Sequence, residues 1–401
     1  MKLGDICQLV RGNTYKSSLL SETEGPVLLG LGSIEKDGGF KRGSRKHYPG
    51  KSDSRIILHP GDLYVSLKDL TQECGLLGAI SRVPADLSEG RLTQDTVKLE
   101  LDSSIGEEGK LYVYWSLRTP QYRKYCRARG TGTTNMSLSR TDFLNWEIPP
   151  VSPTRSNLIS TFELIDAKTE ANAKLNGYLE ELLLAKYDDL FPADGNFNGT
   201  LADAGDVIGG ATPSKKKPEY YCSNGIGWIT PRDLSNTNDK FIAHGADDIT
   251  KAGYDSCSAK LLPKGSVLFS SRAPIGYIAI AADEVATNQG FKSVVPKEEI
   301  GTAFIYCFLT RNKQRIADMG AGTTFPEVSG KMMKSVELAV PNKSACAEFS
   351  SFAAPILAQQ EVLERENRMN EALRDALLPK LMSGEIDVSE IDPTQLNSHS
   401  A

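Results

Sequence analysis

The chain has few of the features that announce an enzyme or a membrane protein. In its 401 residues no apolar run approaches the ~18–20 residues that a transmembrane helix needs. Asp5 interrupts the opening MKLGDICQLV where a secretory signal would be apolar, so a cytoplasmic location is expected. The seven cysteines (Cys7, Cys74, Cys126, Cys222, Cys257, Cys307 and Cys346) are odd in number and scattered, without a C-x-x-C pair. That excludes a zinc ribbon or a disulfide scaffold and fits reduced thiols. The four histidines, His47, His59, His244 and His399, stand far apart and form no H-E-x-x-H pair, so no metal site is expected. Neither sign of charge dominates: 46 Lys and Arg face 51 Asp and Glu, a net charge of −5. A histone-like protein is excluded, whereas binding through local basic patches is not.

Nucleotide and methyl-transfer motifs are missing as well. Pro49-Gly50-Lys51-Ser52 ends like a phosphate-binding loop, but Arg45 occupies the place of its first glycine. Gly330-Lys331 fails too, with Phe325 and Met332 at the required positions. No G-x-G-x-x-G follows a clear strand, no G-x-S-x-G elbow occurs, and no N-P-P-[YF] or D-P-P-[YF] signature is found. Catalysis has no visible carrier, and the chain is expected to hold no cofactor of its own.

What the chain does contain is a second version of itself. LGDICQLVRGNT (3–14) answers LADAGDVIGGAT (201–212), and LHPGDLYVSLK (58–68) answers LPKGSVLFSSR (262–272). LLGAI and PIGYI, LTQD and TNQG, YVYWSLRT and FIYCFLTR follow in the same order, closed by GTGTTNMSLSRTDFLNWEIP (130–149) against GAGTTFPEVSGKMMKSVELAVP (320–341). The offsets between starting positions are 198, 204, 198, 195, 192 and 190. Loop insertions and deletions make such offsets drift, and six matches in one order point to duplication of a whole domain.

Each copy ends in a long helical pattern. Ser152-Pro153 is a cap followed by proline at the first helical position. Leu158, Phe162 and Ile165 are then spaced by four and three, as are Leu175, Leu179 and Leu182, with Thr169, Asn172 and Asn176 as a polar middle. After Pro341 the pattern returns with Phe349, Phe352, Ile356, Leu363, Met369, Leu373 and Leu377. Some 35 residues at 1.5 Å each span roughly 50 Å. A narrow apolar stripe of that length calls for a partner helix. An antiparallel coiled coil between the two copies is the economical answer; packing of each helix on its own domain is the alternative.

The remaining apolar runs, such as GPVLLGLGSI, RIILHPGDLYVSL, GSVLFSS and YIAIAA, read as strands between Gly, Pro and Asp turns. The expected fold class is α+β. Residues 1–151 form a first domain, 152–196 a central helix, 197–342 a second domain, 343–384 a C-terminal helix and 385–401 an acidic tail without order. Charge follows this division. Residues 1–150 hold 21 basic and 18 acidic side chains and residues 197–342 hold 16 and 15, whereas 151–196 hold 4 and 8 and 343–401 hold 5 and 10.

The basic groups are clustered. KRGSRKHYPGKSDSR (41–55) contains Lys41, Arg42, Arg45 and Lys46, and RTPQYRKYCRAR (118–129) contains Arg127 and Arg129 without any acid. In the second copy TPSKKKPEYY places Lys215, Lys216 and Lys217 beside two tyrosines, and SSRAP presents Arg272. The matched segments add Lys68 and Gln94 to the first copy, and Arg232, Asn288, Gln289 and Lys331 to the second. Phosphates are held by Lys, Arg, Ser, Thr and backbone amides, whereas base edges are read by Arg, Asn and Gln. Each run alone also fits a solvated surface. Thr133, Thr134, Thr323 and Thr324 of the Gly-Thr-Thr loops either donate to phosphates or cap a tight turn.

The string GGATPSKKKPEYY…GIGWITPRDLSN…LLPKGSVLFSSRAPIGYIAIA…ATNQGFKSVVP…GAGTTFPEVSGKMMKSVELAVP resembles a target-recognition domain of a Type I restriction–modification DNA specificity subunit. The first copy departs from it, with LVRGNTY, LKDLTQECG and LTQD at the corresponding places. The resemblance implies a non-catalytic subunit that reads a bipartite target in double-stranded DNA. It also implies two methyltransferase subunits that carry S-adenosylmethionine, and restriction subunits that use ATP. The alternatives left by the residues alone are a duplicated scaffold without nucleic acid and an enzyme with an unrecognised site.

Overall fold

A computed structural model describes residues 1–384 apart from positions 44, 193–195, 273 and 321–325. The tail over 385–401 and the candidates Thr323 and Thr324 lie outside the described residues. The chain is α+β and divides into two compact units, Met1–Ala167 with Asn370–Ala401 and Lys168–Met369.

In the first unit an antiparallel sheet runs in the order Cys7–Arg11, Thr96–Leu101, Leu63–Ser66, Ile80–Arg82. Successive side chains of a strand point to opposite faces, and here both faces are covered. Leu63 and Val65 join a helical core with Trp115, Phe143 and Phe162, and Tyr64 joins Leu29, Leu58 and Leu92 behind the sheet. A smaller sheet carries Val27–Leu29 parallel to Gly90–Leu92, with Ile57–Leu58 antiparallel on its other side. The helical stretch after the sheet is broken into Gly106–Ser116 and Pro120–Arg129. Pro120 has no N–H to continue the first helix and opens the second, whose Tyr122 N–H donates to the Thr119 hydroxyl.

The second unit repeats this plan. Its sheet runs Gly205–Gly209, Lys292–Pro296, Val267–Phe269, Ile278–Ala281, Phe241–Ile242, with only the last pair parallel. Val267 and Phe269 face the helical core and Leu268 faces Ile229 and Phe291. Gly227–Ile229 lies parallel to Val285–Thr287, and the helix Thr302–Asp318 is unbroken. Strand register makes the duplication quantitative. Cys7 pairs with Leu101 as Gly205 pairs with Pro296, offsets of 198 and 195. Leu63 pairs with Arg82 as Val267 pairs with Ile280, offsets of 204 and 198. These values reproduce those read from the sequence strings.

Two helices, Pro153–Leu190 and Lys343–Ser383, contribute to both units. In the first unit Leu158, Ile159 and Phe162 pack with Leu377, Leu378 and Leu381, with Leu373 at the margin. Arg155 donates to the carbonyls of Leu381 and Met382 at 2.9 and 3.1 Å, satisfying acceptors that a helix end leaves open. In the second unit Asn172 donates to Glu366 and Asn367 at 2.7 and 2.9 Å, Asn176 to Glu364 at 3.1 Å, and Lys186 pairs with Glu348. Rising numbers on one segment meet falling numbers on the other, so the segments are antiparallel within each unit. Ile165, Ile356 and Leu363 are buried, and Leu179 and Phe352 are partly buried against the second core. Leu175, Leu182 and Met369 are corrections: they are 43%, 50% and 65% exposed, and Leu183 and Tyr187 fill the core in place of Leu182. Continuing the three–four spacing from Asn176 and Leu179 lands on Leu183, and one residue turns the side chain by about 100°.

A buried polar knot ties the second unit's sheet to these segments. Lys240 reaches Glu180 and donates to Gln360 Oε1 at 2.6 Å, with its ammonium 4.5 Å from the Tyr306 ring. Glu364 accepts the backbone N–H groups of Lys240 and Phe241 at 2.9 and 3.0 Å. Burial pushes the Glu364 carboxyl up from its ordinary range, while those donors pull it down.

Candidate nucleic-acid interface

In the second unit the small parallel pair projects two loops to one side. Ile229 runs into Thr230, whose N–H and hydroxyl both donate to Asp233, at 2.7 and 2.6 Å, opening the helix Pro231–Ser235. The other oxygen of Asp233 accepts the Ala246 N–H at 2.9 Å, so this carboxylate is committed to backbone and Arg232 stays exposed. Thr287 runs into Asn288 and Gln289. Asn288 N–H donates to the Ile229 carbonyl at 3.0 Å and its side chain accepts from Gly290 N–H at 2.8 Å. Thr212 hydrogen-bonds Gln289, and Trp228 and Tyr221 pin the preceding segment through the carbonyls of Ala211 and Pro213. Lys215, Arg232, Asn288 and Gln289 thereby line one cleft of about 750 Å³ together with Tyr221, Trp228 and Asp247.

Arg272 adjoins this cleft, because the Ser271 N–H donates to the Gly290 carbonyl at 2.7 Å. Its Nε lies 3.1 Å from Glu327, whose other oxygen is 3.4 Å from Lys292. Lys292 lines a second cleft with Lys331, Lys334, Thr200 and Ser335. Among the described residues, Lys215, Lys216, Arg232, Lys331 and Lys334 have no ion-pair partner. Lys217 is turned onto Tyr220, donating to its hydroxyl at 3.0 Å, a contact that raises the pKa of the ammonium.

The first unit treats its cations differently. Arg42 pairs with Asp86 at 2.8 Å, Lys46 with Glu22, and Lys68 with Asp95 at 3.0 Å. Arg127 reaches Asp37 at 2.6 Å, and Arg129 lies 3.8 Å from the centre of the Tyr125 ring and 3.8 Å from Asp142. Arg45 stands over Phe40, while Lys41 and Gln94 are exposed. Thr133 and Thr134 are exposed in a loop closed by Thr131 and Ser137, which exchange backbone hydrogen bonds at 2.9 and 2.8 Å.

Sequence reasoning missed Asp233, Glu327, Lys292 and Lys334. The Thr230-x-x-Asp233 spacing was a capping signal that could have revealed the first; Glu327 had no signal. Among the described residues no cluster of three or more His, Cys, Asp or Glu could hold a metal, and no helix is long and apolar enough to cross a membrane.

Residues 196–365 match the family model of the Type I restriction modification DNA specificity domain. The Type I restriction enzyme MjaIX specificity subunit of Methanocaldococcus jannaschii is 36% identical over 190 residues, 47% of this chain and 43% of that protein. The HindI specificity subunit of Haemophilus influenzae is 28% identical over 189 residues, 46% of this chain and 40% of its own. The matched stretch thus spans less than half the length of either relative. The crystal structure of a Type I restriction–modification S subunit from M. genitalium aligns over 95% of both chains with a TM-score of 0.60 at 15% identity, a likeness of fold. The chain resembles the DNA specificity subunits of Type I restriction–modification systems, and the likeness in sequence is carried by residues 196–365, which match that family's specificity domain.

Proposed function

We propose that the chain is the sequence-reading, non-catalytic subunit of a Type I restriction–modification complex. The observation that carries this reading is the cleft of Lys215, Arg232, Asn288 and Gln289. It combines unpaired cations with side-chain amides, the groups suited to phosphates and base edges, on the part of the chain that matches a DNA specificity domain. The duplicated topology supports a bipartite target, each unit reading its own half of a double-stranded site. The candidates of the first unit serve the first half, and the divergence between copies fits two different half-sites. The partners in this reading are two methyltransferase subunits that bind S-adenosylmethionine and restriction subunits that use ATP; this chain contributes recognition only.

Co-expression with a cognate methyltransferase, followed by mapping of methylated adenines, tests the proposal. The expected map shows two short, dissimilar half-sites separated by unread bases. Replacement of Arg232 and Asn288 relaxes one half and leaves the other intact. Methylation without sequence preference, or methyl transfer by the isolated chain, overturns it.

A further inference from the structure

The two units share an ion pair built from different parts of the sequence. Lys68 lies opposite Ser137 in one strand pairing, and Arg272 lies opposite Glu327 in the equivalent bridge, offsets of 204 and 190 as in the repeat. The cation therefore keeps its place. Its acid does not. In the second unit the acid is Glu327, at the position of Ser137; in the first it is Asp95, at the position of Gly290. Such half-exposed pairs contribute little to folding. An acid rebuilt from another position beside the same cation points to a demand at the binding face.

We infer that Glu327 and Asp95 are specificity-determining residues, each discharging the cation beside it so that Arg272 and Lys68 engage base edges and not phosphates. This inference rests on the DNA-reading function proposed above. An ammonium or guanidinium with neither a carboxylate nor neighbouring side-chain amides to direct it binds any phosphate, whatever the sequence. A carboxylate in contact with it repels phosphate and occupies its donors. A base pair is neutral and offers both halves of the complement: acceptors such as guanine O6 and N7 for the cation, and amino donors of cytosine or adenine for the carboxylate. The unpaired Lys331 and Lys334, in the neighbouring cleft with Lys292, are left to the backbone. Beside the Lys292 cleft the structure thus separates base reading by the carboxylate-held Arg272 from phosphate anchoring by the unpaired Lys331 and Lys334.

The test uses the full chain with Glu327→Gln and, separately, Asp95→Asn, titrated with a duplex of random sequence over a range of salt. Each variant is expected to bind that duplex more tightly than wild type. The dependence of log K on log salt should steepen by ~0.9 for each cation released. Asp95→Asn releases one, and Glu327→Gln releases Arg272 and Lys292. Adding Arg272→Gln to Glu327→Gln should remove one increment. Weaker binding to all duplexes, or an unchanged slope in folded variants, overturns the inference; the two sites in separate units guard against one variant failing to fold. A wild-type chain that binds no duplex overturns the DNA reading itself and this inference with it. Wild-type binding with unaltered variants overturns this inference alone.

Discussion

The two units hold the same topology together with a different balance of charges, although both tie loops with carboxylates, as Asp69 does at the N–H groups of Thr71 and Leu76 in the first. The first uses buried arginines: Arg123 donates to the carbonyls of Cys74, Gly75 and Leu77 and pairs with Asp37, and Arg91 donates to the carbonyls of Thr14 and Leu92. The second uses carboxylates on backbone N–H groups: Asp233 at Thr230 and Ala246, Asp248 at Gly225, and Glu364 at Lys240 and Phe241. A loop tied down by arginine consumes cations. A loop tied down by carboxylate leaves cations for the solvent and for whatever arrives from it. A basic run in sequence therefore has two meanings, and the acceptor that each guanidinium or ammonium finds decides between them.

That contrast can be broken by substitution. The largest effect is expected at Lys240, where Lys240→Met removes the buried partner of the pair and leaves the partly buried Glu180 without its cation. Loss of one partner of a buried pair costs ~3–5 kcal/mol. Hydrogen exchange should show the loss in Lys168–Met369 and not in Met1–Ala167; equal loss in both would mean that the knot does not belong to the second unit. Next comes the seam. Leu183→Ala should cost ~2–5 kcal/mol, as large-to-small changes in cores do, while Leu182→Ala stays within ~0.5 kcal/mol. Chemical denaturation separates the two, and the reverse ranking would refute the assigned face. Arg232→Ala should then cost ~1–3 kcal/mol of discrimination at one base position, whereas Arg127→Ala, whose cation is held by Asp37, should change DNA binding less. Equal losses by competition binding would erase the distinction between free and committed cations. The smallest effect belongs to Arg42→Gln, an exposed pair with Asp86 whose removal should cost ~0–1 kcal/mol of stability, measurable as a small shift in denaturation midpoint.

Much of this was legible in the sequence because duplication supplies its own control. The offsets read from short strings reappear as strand registers, since a two-residue side-chain period forbids slippage once both faces are buried. Leu158 and Phe162 were readable as core because helical spacing and burial coincide there. Leu182 was not, because three adjacent leucines, Leu182 to Leu184, satisfy several three–four patterns at once, and only the tertiary context selects Leu183. The cleft was half legible. Asn288, Gln289, Arg232 and Lys215 were each nameable from residue type. Their meeting depends on the parallel pairing of Gly227–Ile229 with Val285–Thr287, nearly 60 residues apart in sequence. The pairing of Arg42, Lys46 and Lys68 with Asp86, Glu22 and Asp95 was hidden for the same reason.

The shared helices also fix an order of events. The first unit's core is completed by Leu377, Leu378 and Leu381, whereas the second unit is one continuous segment, Lys168–Met369. On a ribosome adding ~5–20 residues per second, Leu158 and Phe162 wait roughly 10–40 s for these leucines. The half of the molecule translated first is thus the last that can close. Until then it carries an uncovered apolar face, while the later half folds within the interval.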